Sequence, residues 1–188
     1  MRYSEPEVRR ATIIHHDGAI EAIVGFRAWR LSFSGGVATL RSMYAAQEWT
    51  PHTVLDAECK ATAWHSALPY NHEATDETLA PHREDCRCGI YSFRTPQQLG
   101  LEVWSLPPGV HGGYVVAGEV YLWGRIRVHK RGYRAEHAKI ACLYPEFLPK
   151  DYGIIRTRVA RAGAAARMGI ELAALQYEVP LVQASNPN

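Results

Sequence analysis

The side chains best suited to chemistry are gathered in one stretch. Cys86 and Cys88 are separated by a single residue, His82 stands four residues before the pair, and Cys59 lies on an earlier segment with strand character. Thiolate and imidazole donors suit zinc, which takes four of them in a tetrahedron, and three Cys with one His is a set found in structural rather than hydrolytic sites. His72 is the rival for the fourth position and His65 a weaker one. Two cysteines so close in sequence are poorly placed to bridge each other. In a reducing compartment such cysteines read first as metal ligands. Cys142 is expected to fill a core position. His15, His16, His52, His111, His129 and His137 are expected as surface or core polar residues.

A second set carries binding chemistry. Glu119, Tyr121, Trp123, Arg125, Arg127 and His129 occupy alternate positions of one run, and Lys130, Arg131 and Arg134 follow. Rings that stack on bases beside cations that hold phosphates are the combination single-strand binders use, which makes nucleic acid the leading ligand. A zinc-dependent enzyme is an alternative. It needs an open coordination position and a general base, for which Glu84, Asp85, His72 and Glu136 are the nominees. The Pro-Cys-x2-Cys half of the deaminase motif pair, a nucleophile elbow, a P-loop, a dinucleotide-binding glycine fingerprint and His-Glu-x2-His are all missing from the sequence. The other alternative is a protein-interaction subunit of a phage or defence-related assembly, docking through a sheet edge or an Arg-bearing helix.

The elements that must position these residues are mostly strands. Thr12–His15, a turn at Asp17-Gly18, Ala19–Ser32, a Gly35-Gly36 turn and Val37–Ser42 read as consecutive antiparallel strands, since glycine supplies the positive φ of tight hairpins. Val54–Thr62 alternates with period two and predicts another strand. Residues 65–88 show no apolar period, and so long a loop inside a compact domain calls for something to tie it down, which metal ligation supplies. Gly89–Phe93 predicts a short strand, and Thr95-Pro96 an N-cap and first position of a short helix through Leu99 or a little beyond.

Val115–His129 is the most regular run, with Val116, Val120, Leu122, Ile126 and Val128 as its apolar face and Gly118 and Gly124 as bend or bulge points. Its return strand, Tyr133–Tyr144, follows a turn around Arg131-Gly132. One register opposes Arg127 to Glu136 as a cross-strand ion pair. A register shifted by one sets Ala138, Ile140 and Cys142 beside the apolar face. A bulge near Gly124 reconciles the two. After Pro149, Ile155, Val159, Ala162, Ala166, Ile170, Ala173 and Tyr177 recur at helical spacing, with Arg156, Arg158, Arg161 and Arg167 off the stripe, predicting a helix that ends before Pro180 and packs across the sheet or on a partner.

Three segments resemble a known pattern: Ala80–Tyr91 with its Cys-Arg-Cys-Gly-Ile-Tyr box, Gly118–Gly124 with Leu-Trp-Gly, and His129–Glu136 with Gly-Tyr-Arg-Ala-Glu. Together they resemble a family of uncharacterised bacterial and phage proteins, over Gly25 to about Tyr144. The helical extension is additional, and His72–Leu79 departs from the family's tighter spacing. The resemblance implies a shared fold and supplies no function.

The chain's 188 residues, 47% hydrophobic and 21% charged, are enough for a packed core and exclude a disordered or fibrous protein. Net charge is +2 but unevenly spread: residues 1–124 hold 10 Lys/Arg against 14 Asp/Glu, while residues 125–167 hold 11 against 3. Such asymmetry marks a contact with nucleic acid, an acidic partner or a membrane surface, or else a solvated hairpin and helix face. Ala162–Leu175 is interrupted by Arg167 and Glu171 and is too short to span a membrane. Met1–Val24 lacks the unbroken apolar stretch of a signal peptide, so the cytoplasm is the expected compartment. The expectation is a mainly β fold, an antiparallel sheet or partly closed barrel with one short helix and a C-terminal helix. It divides into a zinc-stapled β-rich domain (1–148), a helical extension (149–179) and a loose tail (180–188).

Overall fold

The structure is a computed structural model and describes residues 7–15, 18–43, 47–57, 89–105, 114–145 and 163–183. The chain is mainly β, as its alternation predicts. In order along it come β1 (Arg10–His15), β2 (Gly18–Ser34), β3 (Val37–Ser42), β4 (Glu48–Trp49), β5 (Leu55–Asp56), β6 (Ile90–Phe93), α1 (Pro96–Ser105), β7 (Tyr114–His129), β8 (Gly132–Tyr144) and α2 (Gly163–Tyr177). All eight strands belong to one antiparallel sheet.

β2, 17 residues long, is the hub. One edge carries β7 from Ile23 to Leu31. The other carries β1 at its start, β3 at its end, and between them the single pair Phe26↔Phe93 with β6. β7 continues onto β8, and β8 pairs with β6, so the pairings close a ring β2–β7–β8–β6.

The main core lies on one face of this sheet. Trp29, Leu31, Leu40, Val116, Val120, Leu122, Tyr133, Ala135, Ala138 and Leu143 are almost wholly buried there. Full burial of each large apolar side chain is worth roughly 1.5–3 kcal/mol. Trp49 meets Trp29 edge-on, with centroids 5.5 Å apart. α2 covers this face with Ile170, Ala173 and Tyr177, the later part of the stripe expected for it, together with Ala174, while the stripe positions before Gly163 lie outside the described residues. Pro180–Val182, expected in a loose tail, instead hydrogen-bonds along β8: Leu143 N–H donates to Pro180 O at 3.1 Å and Val182 N–H to Leu143 O at 3.0 Å.

The second face is covered by α1, where Leu99 and Val103 pack on Phe26, Ala28, Ala117, Cys142 and Tyr144. Thr95 caps α1, its Oγ1 accepting from Gln98 N–H at 3.2 Å, and the helix runs six residues beyond Leu99. Arg27 lies among core side chains, its guanidinium 5.0 Å from the Trp49 ring centre and donating to Ser42 Oγ at 3.0 Å and to the Tyr91 carbonyl. Burial pushes its pKa down to about 10.

The β7–β8 register corrects one expectation. The two-residue turn is Lys130-Arg131, which pairs His129 with Gly132 and sets Arg127 opposite Arg134 rather than Glu136. Two irregularities interrupt the ladder. At the first, Ala141 is left between the pairs Val120↔Ile140 and Glu119↔Cys142. Ile140 therefore joins the main core while Cys142 turns to the second face. At the second, Gly124 and Arg125 together face Glu136, the bulge expected near Gly124. The buried face of β7 keeps its even positions through this bulge, and β8 changes parity instead, from Ala138 and Ile140 to Tyr133 and Ala135.

Candidate nucleic-acid interface

The β7–β8 hairpin projects a run of cations. From Val120 to Ala135 there are five Lys or Arg and no Asp or Glu. Arg125, His129, Lys130 and Arg131 are exposed and Arg127 is half-buried. Arg131 is oriented from both sides: its guanidinium lies 5.9 Å from the Phe93 ring centre, and its Nη2 stands 3.4 Å from Glu102 of α1.

Across the sheet from Arg127 a row crosses three strands, Arg127 on β7, Arg134 on β8 and Tyr91 on β6, each the direct partner of the next. Strands about 4.8 Å apart put the three Cα atoms within roughly 10 Å. Cross-strand neighbours share a face, so the two guanidinium groups and the phenol emerge on the same side. Arg134 is only 4% exposed, while Tyr91, 48% exposed, is the open aromatic of the row. The stem of Arg134 lies over Gly89, where an added Cβ would stand 2.5 Å from Arg134 Cγ, and Gly89 holds φ +138. Gly89-Ile90-Tyr91 and Tyr133-Arg134-Ala135, far apart in sequence, are thus paired strands whose side chains interlock.

The aromatic pair expected to stack on bases divides differently. Tyr121 is half-buried. Trp123 is 7% exposed, covered in part by the His137 ring at 5.8 Å and 30°. Trp123 is thus buried where Tyr91, on β6, is exposed. The signal for Tyr91 lay in the period of Ile90–Phe93, whose buried positions Ile90 and Ser92 leave Tyr91 pointing the other way.

Two polar clusters escaped the sequence reading because their members are remote in the chain. Glu119 accepts from both Arg9 Nη atoms, at 2.8 and 3.2 Å, and from Tyr144 Oη at 2.7 Å, beside Cys142. Burial raises the Cys142 thiol to about 11 and, with the Glu119 carboxylate, raises the Tyr144 phenol, so neither is poised as a nucleophile. The second cluster joins Asp56, Glu136 and His137 around Gly124.

Cys59, His72, His82, Cys86 and Cys88 lie outside the described residues. Among the described residues no three His, Cys, Asp or Glu side chains converge on one cation position, and no helix is long and apolar enough to cross a membrane.

The fold class is therefore a mainly β protein, an antiparallel sheet with a closed ring of strands and two flanking helices. No protein family, curated protein or solved structure matches the chain.

Proposed function

We propose that the chain is a zinc-stabilised binding module for single-stranded nucleic acid. Arg125, Arg127, Lys130 and Arg131 hold phosphates, Tyr91 stacks on a base, and Arg134 sets the spacing of the row from beneath. The observation that carries this reading is the cross-strand row, a half-exposed Tyr91 in line with the paired Arg127 and Arg134 on the acid-free stretch from Val120 to Ala135. Base–aromatic stacking is worth about 1–3 kcal/mol and tolerates any sequence, because every base has a π-face. Zinc on Cys59, Cys86, Cys88 and either His82 or His72 belongs to the same reading. It fixes the chain that leads into Gly89 and Tyr91.

Anisotropy of a labelled oligonucleotide tests the binding surface. Four phosphate contacts give a log–log salt slope of about −3 for a single strand. Arg125→Glu with Arg127→Glu flattens that slope, and Tyr91→Ala weakens binding about 5–150-fold with the slope kept. Salt-independent binding, or variants that bind like the parent, overturns the reading. So does a discrete protein partner retained by a chain that binds no oligonucleotide. Metal analysis of the purified protein tests the zinc: loss of stoichiometric zinc in Cys86→Ser and Cys88→Ser is expected, and full retention in both discards the ligand set.

A further inference from the structure

The bulge between β7 and β8 builds a second polar site that the proposed interface does not use. His137 lies there between two carboxylates. Its Nδ1–H donates to Asp56 Oδ1 at 2.7 Å, and its Nε2 faces Glu136 Oε2 at 3.9 Å. The first contact is a short charge-assisted hydrogen bond, and the second is too long to be one. With Nδ1–H committed to Asp56, the Nε2 of a neutral imidazole stands 3.9 Å from a carboxylate oxygen, two electron-rich atoms that a proton or a metal ion would bridge.

The surroundings hold this geometry. The Trp123 ring packs against the imidazole at 5.8 Å, and Ala57 N–H donates to Glu136 O at 2.7 Å, which ties β5 to β8 where Asp56 must reach across. Arg125 N–H donates to Glu136 Oε2 at 3.1 Å and orients the carboxylate. Gly124 stands in the left-handed region at φ +75, and a Cβ there would lie 2.6 Å from His137 Cδ2 and 2.9 Å from Glu136 Oε2. The room for both side chains exists because residue 124 has none.

We infer that His137 Nε2 and Glu136 Oε2 together bind a divalent cation of the zinc–cobalt class, with Asp56 as the outer carboxylate that fixes the imidazole. A carboxylate that holds the far nitrogen of a ligating histidine sets its tautomer and raises its basicity. Two donors at about 2.0–2.1 Å from a tetrahedral ion stand about 3.4 Å apart, so a small turn of the Glu136 carboxylate closes the observed gap. Two protein ligands leave the remaining positions to water, and Asp56, Glu136 and the ion sum to no net charge around a neutral imidazole. The side chains are one-third exposed for His137 and more for Asp56, so the ion enters from solvent.

Cobalt(II) titration of the full chain, followed by optical absorption and by two-dimensional NMR, tests this independently of the cysteine site. A thiolate site gives a sulfur-to-cobalt charge-transfer band; the His137 site gives none. With the cysteine site already filled by one equivalent of zinc, cobalt binding without that band is expected, with perturbation centred on the His137 imidazole and the Trp123 indole resonances. It should be abolished by His137→Ala, and weakened about 10–100-fold by Asp56→Asn. The inference is overturned if the parent chain shows no perturbation at His137 and Trp123. It is equally overturned if folded His137→Ala, checked by circular dichroism, binds as much thiolate-free cobalt as the parent. Absence of the charge-transfer band when cobalt is added to zinc-free chain counts against the cysteine ligands and leaves this site standing.

Discussion

Gly124 shows how one residue decides a site. Its φ of +75 costs an L residue about 1–2 kcal/mol, and the space a methyl would fill is already taken by His137 and Glu136. Gly124→Ala is therefore expected to lower stability by about 1–3 kcal/mol in denaturant unfolding and to displace the imidazole from Asp56. A loss under about 0.5 kcal/mol would mean that the bulge relaxes freely. The sequence marked Gly124 as a bulge point, because glycine inside an alternating run has few other uses. What the bulge collects was not legible, since Asp56 lies 81 positions from His137 and no periodicity links them. The burial of Trp123 was hidden for the same reason: alternation assigns its face, but the ring that covers it comes from another strand.

At the scale of elements, the clearest device is the Tyr177 hydroxyl, which inserts into the ladder between β3 and β4. It accepts from Leu40 N–H at 3.1 Å and donates to the Trp49 carbonyl. Gln176 does similar work one residue earlier: its Oε1 accepts from Ala38 N–H at 2.7 Å, and its Nε2 donates to Gly36 O at 3.1 Å. α2 thus supplies polar partners to a strand edge while its apolar stripe covers the core. Tyr177→Phe strands a buried N–H and a buried carbonyl, and about 1–3 kcal/mol of stability should be lost with little change in far-ultraviolet dichroism. An unchanged unfolding midpoint would show that β3 and β4 close the gap by themselves. The strands of the N-terminal meander and the long hairpin were legible to within one or two residues, because turn glycines and period two fix them locally. The opposition of Arg127 to Arg134 was not. It depends on the turn falling at Lys130-Arg131, and on parity changing on β8 rather than β7, where β8 also pairs with the remote strand β6.

For the molecule as a whole, the second face determines how stability responds to alkali. Cys142, tucked beneath α1 beside Glu119 and Arg9, has its thiol raised from 9.0 to about 11, first by burial and then by the neighbouring carboxylate. Tyr144 on the same face is raised by burial and by its hydrogen bond to Glu119. A raised acid favours the neutral form in the fold. Its contribution is complete below the ordinary pKa, and it shrinks as pH climbs toward the folded value, because the unfolded chain sheds the proton first. Stability should consequently fall between about pH 9 and 11, and Cys142→Ala should flatten that limb without erasing it, since Tyr144 still titrates. The same protection makes native Cys142 slow to alkylate at neutral pH, with labelling that accelerates when denaturant opens the α1 face. Parallel alkaline limbs for the parent and Cys142→Ala, or labelling as fast as that of a free thiol, would mean that α1 leaves this face open to water. Phe26, Phe93 and Leu99 would then no longer hold the closure of the strand ring at Phe26↔Phe93.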